Sequence, residues 1–217
     1  MHLKEVSLLA TEIELLYEFY IKLLGFPSLY KSSEFISLKI GSSILNFSLN
    51  NNEKHLYHFA IEIPINLLEK SALWLQKKGL NLVKPSGKST IIVHHEVWNA
   101  YSIYFYDVLG NLIEFIVRVD NNIFSDADHF GPDEIVRLSE VGTGVQDPVS
   151  SAEFLTKHFD VKIYDNGPQN KAFVCIGDSN GLLILSKTDR LWFPSSNLRA
   201  VKSKIIIDTE IGTLTLN

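Results

Sequence analysis

At 217 residues, with 46% hydrophobic and 21% charged residues, the chain is long enough to bury a core of its own without disulfide staples. Its formal net charge is -5, and the 20 Lys and Arg are scattered among 25 Asp and Glu, so the basic patch that a nucleic-acid partner requires is missing. The single cysteine, Cys175, lies in an apolar run and has no internal partner, no stretch reaches membrane-spanning length, and the N-terminus lacks a leader-like pattern, so a cytoplasmic location is expected.

Leu3 to Ala10 reads as a strand. Thr11 with Glu14 has the spelling of a capping box, and Leu15, Phe19, Leu23 and Leu24 recur at helical spacing up to Gly25, which ends the helix. Two short strands follow, 34–40 and 43–49, joined at Gly41-Ser42, and the third strand of this βαβββ unit is poorly marked. The order then repeats: strand 57–63, helix 66–78 ended by Gly79, and a hairpin of 100–107 and 111–118 turning at Gly110-Asn111.

The polar stretch from Asp120 to Asp133 is the best linker, which predicts one domain over 1–119 and a second over 134–217. In the second, Leu138-Ser139-Glu140-Val141 echoes Leu3-Lys4-Glu5-Val6, and a helix follows from Pro148. Phe173 to Gly177 and Leu182 to Ser186 complete a third unit. The fourth is reduced to Lys204 to Asp208 and a short terminal piece, so this domain is expected to be a truncated, degenerate copy.

Polar residues inside strands whose alternation can turn them inward are the candidates for chemistry: Glu5, Asn46, His58 and Glu114. Taken singly, each has an ordinary explanation, Glu5 facing solvent, His58 satisfied within its strand and Glu114 paired with a cation such as Arg118. Taken together, residues near the first and last strands of paired repeats converge if the repeats curl into a cup.

The opening strand, the run Leu15 to Phe26, the strand Tyr57-His58-Phe59-Ala60 and above all the hairpin Asp107-Val-Leu-Gly110-Asn-Leu-Ile-Glu114 resemble the vicinal oxygen chelate superfamily. That superfamily includes glyoxalase I, bleomycin resistance proteins and extradiol dioxygenases. The resemblance covers 1–119 well and 134–208 loosely. It implies an α+β fold of repeated βαβββ modules forming a cup-shaped mixed sheet, one divalent metal (Fe2+, or Mn2+, Ni2+ or Zn2+) on Glu5, His58 and Glu114, and a small substrate touching Asn46 and Trp98. A homodimer is one arrangement the resemblance allows.

The chain also resembles the dioxygenases in the spacing of His95, Tyr104 and Glu114, although Val108 stands where the signature has proline. This implies a proton-moving role for His95 and a hydrogen bond to substrate from Tyr104. Those dioxygenases use two histidines and one glutamate, whereas this set has two glutamates and one histidine. Such a donor set leans toward Lewis-acid chemistry of the glyoxalase or epimerase type, a lyase or isomerase reading. A metal-free antibiotic-binding module is the rival from another class.

Of His94 and His95, neighbours in an extended segment, only one can face the cup. In the C-terminal copy Glu140 stands in the place of Glu5, Ile184 in that of Asn46 and Lys204 near that of His58, so no second equivalent site is expected. The segment Trp192-Phe193-Pro194 is read as packing, with a lid as the alternative.

Overall fold

The structure is a computed structural model that describes residues 1–51, 55–167 and 170–216. The chain has an α+β fold built from two curled mixed sheets.

The strands in chain order are β1 (Glu5–Ala10), β2 (Ser28–Lys31), β3 (Phe35–Ile40), β4 (Ser43–Leu49), β5 (His58–Glu62), β6 (Val93–His95), β7 (Ala100–Tyr106), β8 (Leu112–Arg118), β9 (Arg137–Val145), β10 (Phe173–Asp178), β11 (Gly181–Lys187), β12 (Ile205–Thr209) and β13 (Gly212–Leu216). The first sheet has the order β13-β12-β1-β4-β3-β2, and the second has the order β10-β11-β9-β5-β8-β7-β6. Each sheet therefore draws strands from both sides of residues 120–133. The first repeat pairs with the fourth through β1 and β12, and the second pairs with the third through β5 and β9.

This pairing departs from the expected division into 1–119 and 134–217. The stretch 120–133 is also tied down rather than a free tether: Asn66 exchanges hydrogen bonds with Ser125, and Phe130 is buried against Trp74 and Phe115.

Alternate residues of the strands, such as Phe59 and Ile61 of β5 and Ile113, Phe115 and Val117 of β8, join the helices in one continuous core, and the opposite face of β5 and β8 is buried as well. The first helix differs from its sequence spelling. Glu12 occupies the cap position without a side-chain cap, so the Thr11–Glu14 box does not form, and α1 (Ile13–Leu16) runs on as π-helix through Tyr17–Leu23. The π turn buries Phe19 and Tyr20, with Leu16 before it and Leu24 after it also buried and Leu15 exposed. Two further helices are α2 (Leu68–Lys77) and α3 (Pro148–His158), the latter capped by the Asp147 carboxylate, which accepts from the amides of Val149 and Ser150. Among the described residues no helix is long and apolar enough to cross a membrane.

Candidate functional site

The second sheet gathers one imidazole and two carboxylates around a single residue. Ala60 of β5 pairs with Glu114 on the parallel strand β8 and with Glu140 on the antiparallel strand β9. Side chains in register share a face, and His58, two residues before Ala60, lies on that face as well. One donor atom from each of His58, Glu114 and Glu140 falls within 4.8 Å of the others, and all three residues are buried. They line a cavity of about 210 Å³ together with His95, Trp98, Tyr104, Arg190, Trp192 and Phe193, among others.

The hydrogen bonds around this group settle its protonation. His58 Nδ1 lies 3.1 Å from the Leu112 carbonyl, which can only accept, so the proton sits on Nδ1 and the lone pair of Nε2 faces inward. That lone pair is 3.5 Å from Glu114 Oε2. Burial, the largest influence, holds the His58 pKa down to about 4, so the ring is neutral at physiological pH. Ser102 donates to the other oxygen of Glu114, and Arg118, itself buried and also bonded to Ser139, pairs with Glu140.

Desolvation raises the pKa of both glutamates: Ser102 and Arg118 draw Glu114 back, and Arg118 does so for Glu140. Two buried carboxylates against one arginine, with a lone pair pointed at one of them, leave room for a cation between the three donors. Donors at about 2.1 Å from a divalent ion lie roughly 3 Å apart when adjacent, so closing on an ion asks for side-chain shifts on the order of 1 Å. The residues present fit such an ion.

Of the predicted ligands, the structure brings His58 and Glu114 together and puts Glu5 elsewhere. Glu5 lies on β1 in the first sheet, where it accepts a hydrogen bond from Asn46. The register explains the displacement. Ser7 pairs with Asn46 and with Ile206 just as Ala60 pairs with Glu114 and Glu140, and Glu5 precedes Ser7 by two residues as His58 precedes Ala60. Glu5, Asn46 and Ile206 are thus the first sheet's counterparts of His58, Glu114 and Glu140, with an apolar residue at the third place. Asn46 accordingly cannot reach the cavity.

The residue the sequence reading passed over is Glu140. The echo of Leu3-Lys4-Glu5-Val6 in Leu138-Ser139-Glu140-Val141 was the signal for it, once the second and third repeats are allowed to pair.

Around the group, Tyr104 is in register with Glu114 across β7 and β8, and its hydroxyl lies 3.0 Å from His95 Nε2. Burial, with the nearby glutamates, pushes the Tyr104 hydroxyl well above its ordinary range, and burial lowers His95. His95 faces the cavity, whereas His94 turns outward and stacks on Tyr101 at 4.5 Å. Trp98 lines the cavity with the Arg118 guanidinium over its ring, and Tyr101 does not line it.

Trp192 is 3% exposed and packs on His58 at 5.0 Å between ring centres. Its backbone is fixed to Leu198 and Ser195. The indole is therefore both a packed residue and a wall of the cavity. Phe193, half exposed beside it, meets His95 and Tyr104 edge-on.

No family model matches the chain, and no curated protein matches it. Among solved structures, a Bacillus subtilis protein described as a candidate dioxygenase superposes with a TM-score of 0.61 at 14% identity, covering 92% of this chain and 67% of that one. An integron cassette protein from the mobile metagenome of the Halifax Harbour sewage outfall is 24% identical with a TM-score of 0.47, covering 53% of this chain and 97% of that one. A lactoylglutathione lyase from Agrobacterium tumefaciens is 16% identical with a TM-score of 0.44, covering 52% and 91%. The chain has the fold of the vicinal oxygen chelate superfamily.

Proposed function

We propose that the protein is an enzyme dependent on one divalent metal, held by His58, Glu114 and Glu140, that acts on a small substrate through two adjacent oxygens. The observation that carries this reading is the neutral His58 Nε2 lone pair aimed at Glu114 Oε2 inside a buried group with two carboxylates and one arginine. When bound, the ion would act as a Lewis acid on the chelated oxygens and, if ferrous, would also supply the redox chemistry for dioxygen.

The surrounding side chains support extradiol-type ring cleavage as the leading reaction. Tyr104 is placed beside Glu114 to donate a hydrogen bond to a substrate oxygen. His95, its pKa lowered by burial, accepts at Nε2 the Tyr104 proton across the 3.0 Å contact as a substrate hydroxyl passes its own proton to the Tyr104 oxygen, so Tyr104 stays protonated and the proton returns by the same path. Trp192, Trp98 and Phe193 keep water from the bound ring. The fold shared with the Bacillus subtilis candidate dioxygenase is in keeping with this.

A second reading, proton transfer next to a carbonyl as in a lyase or isomerase, is favoured by the donor set itself. One imidazole and two carboxylates make a harder site than two imidazoles and one carboxylate, the arrangement associated with ferrous oxygenases.

Elemental analysis of anaerobically purified protein, wild type against His58→Ala, tests the metal. Near-stoichiometric iron lost in the variant, with oxygen uptake on catechols, supports ring cleavage. Manganese, nickel or zinc without oxygen uptake supports the lyase or isomerase. Failure of wild type to take up any of these ions would leave a binding module.

A further inference from the structure

The cavity holds a second charged feature that the metal reading leaves unused. Arg190 lines the same cavity as the donor group, its guanidinium lying over the Phe173 ring at 4.7 Å from the centroid. The backbone is held in place, since the Arg190 carbonyl accepts from the Ala200 amide and Leu191 bridges Arg199. Of its five N–H donors, the hydrogen bond that engages the side chain is a long one of 3.4 Å from Nη1 to the Leu191 carbonyl. Among the described residues no carboxylate pairs with it, in contrast to Arg118, which is buried and committed to Glu140.

We propose that Arg190 is a specificity-determining residue that receives a carboxylate on the substrate, so that the natural substrate is a single-ring or similarly small aromatic acid carrying its adjacent oxygens at the far end from the acid. This rests on the metal reading for the far end only.

Four observations carry it. A half-buried guanidinium without a carboxylate keeps unsatisfied donors in a fork suited to a planar anion, and binding one recovers the desolvation cost. The guanidinium lies over the Phe173 ring, and Trp192, Phe193 and Trp98, which line the same cavity as Arg190 and the donor group, offer flat faces to a ring. Charge agrees too: Glu114 and Glu140 against Arg118, Arg190 and a divalent ion leave two positive charges, which a substrate with one ionised chelating oxygen and one carboxylate neutralises. The volume of about 210 Å³ is below the roughly 300 Å³ at which drug-sized pockets begin, which limits the occupant to about one ring.

Benzoate and its neutral isostere benzamide, titrated into metal-free protein by tryptophan fluorescence, test the acid end without any metal. Benzoate should bind at least about tenfold more tightly than benzamide, Arg190→Leu should erase that preference, and Arg190→Lys should keep part of it. Equal binding of the two in wild type, no detectable binding of benzoate, or a preference that survives Arg190→Leu overturns the proposal. Should Arg190→Leu fail to fold, the wild-type ratio and the lysine variant still decide.

A second titration, 3,4-dihydroxybenzoate against catechol on protein loaded with ferrous iron or manganese, separates the two readings. A benzoate preference in protein that takes up no metal keeps the acid subsite and ends the metal reading. Metal uptake with no carboxylate preference does the reverse.

Discussion

Glu114 and Glu140 face each other across Ala60, one in parallel and one in antiparallel register. The methyl group between them leaves open the space into which both carboxylates and the His58 ring project. Exchanging Glu140 for Gln should therefore weaken divalent-metal binding at least as much as loss of an outer hydrogen-bond partner does, about 10- to 100-fold or more. Glu5→Gln should leave it unchanged. Calorimetric titration with manganese checks both, and equal effects of the two variants would contradict the pairing of the second repeat with the third.

Metal uptake should release protons. Glu114 and Glu140 have raised pKa values in the folded protein, so their contribution to stability is present below the ordinary carboxylate range and is lost as pH rises through their folded values. His58 behaves oppositely: its pKa falls from 6.5 to about 4, so its contribution is present above 6.5 and lost as pH falls toward 4. The two carboxylates outweigh the one imidazole, so among these three groups the metal-free protein should lose stability as pH rises from the ordinary carboxylate range to about 7 and level off above it, while loaded protein should not. Thermal melts across pH, together with calorimetry in buffers of different ionisation enthalpy, read this out. Proton release should shrink in Glu114→Gln.

Tyr104→Phe and His95→Gln should spare metal content and lower turnover, by about 10²- to 10⁴-fold for a lost proton-transfer group. The two act along one 3.0 Å contact, so the double variant should be little worse than the poorer single variant. Additive losses would show that the residues work separately.

Gly142 pairs with His58, and a Cβ placed there would lie 2.5 Å from the Trp192 ring. Gly142→Ala should push the indole off His58, cost about 1–3 kcal/mol as an overpacked core does, and red-shift tryptophan emission. Unchanged emission and stability would mean that the indole has room to move.

Much of the fold was legible in the chain. The recurrence of a strand, a helix and further strands at each repeat shows in Leu3 to Ala10, Tyr57 to Ile63 and Leu138 to Val141. Those segments form the strands β1, β5 and β9. The strand β2 was faint because all four of its residues are exposed and carry no alternation. The site was half legible. His58, Glu114, His95 and Tyr104 lie in the second repeat, where local spacing applies. The third carboxylate depended on which repeat lies beside which, and that is decided by long-range strand pairing. Nothing in the spelling of Glu5 and Glu140 separates them; their neighbours across the sheet do, since Ser7 meets Ile206 where Ala60 meets Glu140.

The crossed pairing of repeats gives the molecule the form of nested brackets. The sheet carrying the cavity is made wholly from the middle of the chain, residues 58–187, whereas the other sheet closes only when Glu5 meets Asp208. Closing a loop of that span is the most entropically demanding step the topology contains. The order of assembly that follows is inside out: the cavity's strands can pair soon after they emerge during synthesis, and the first and last segments join last, as an outer clasp.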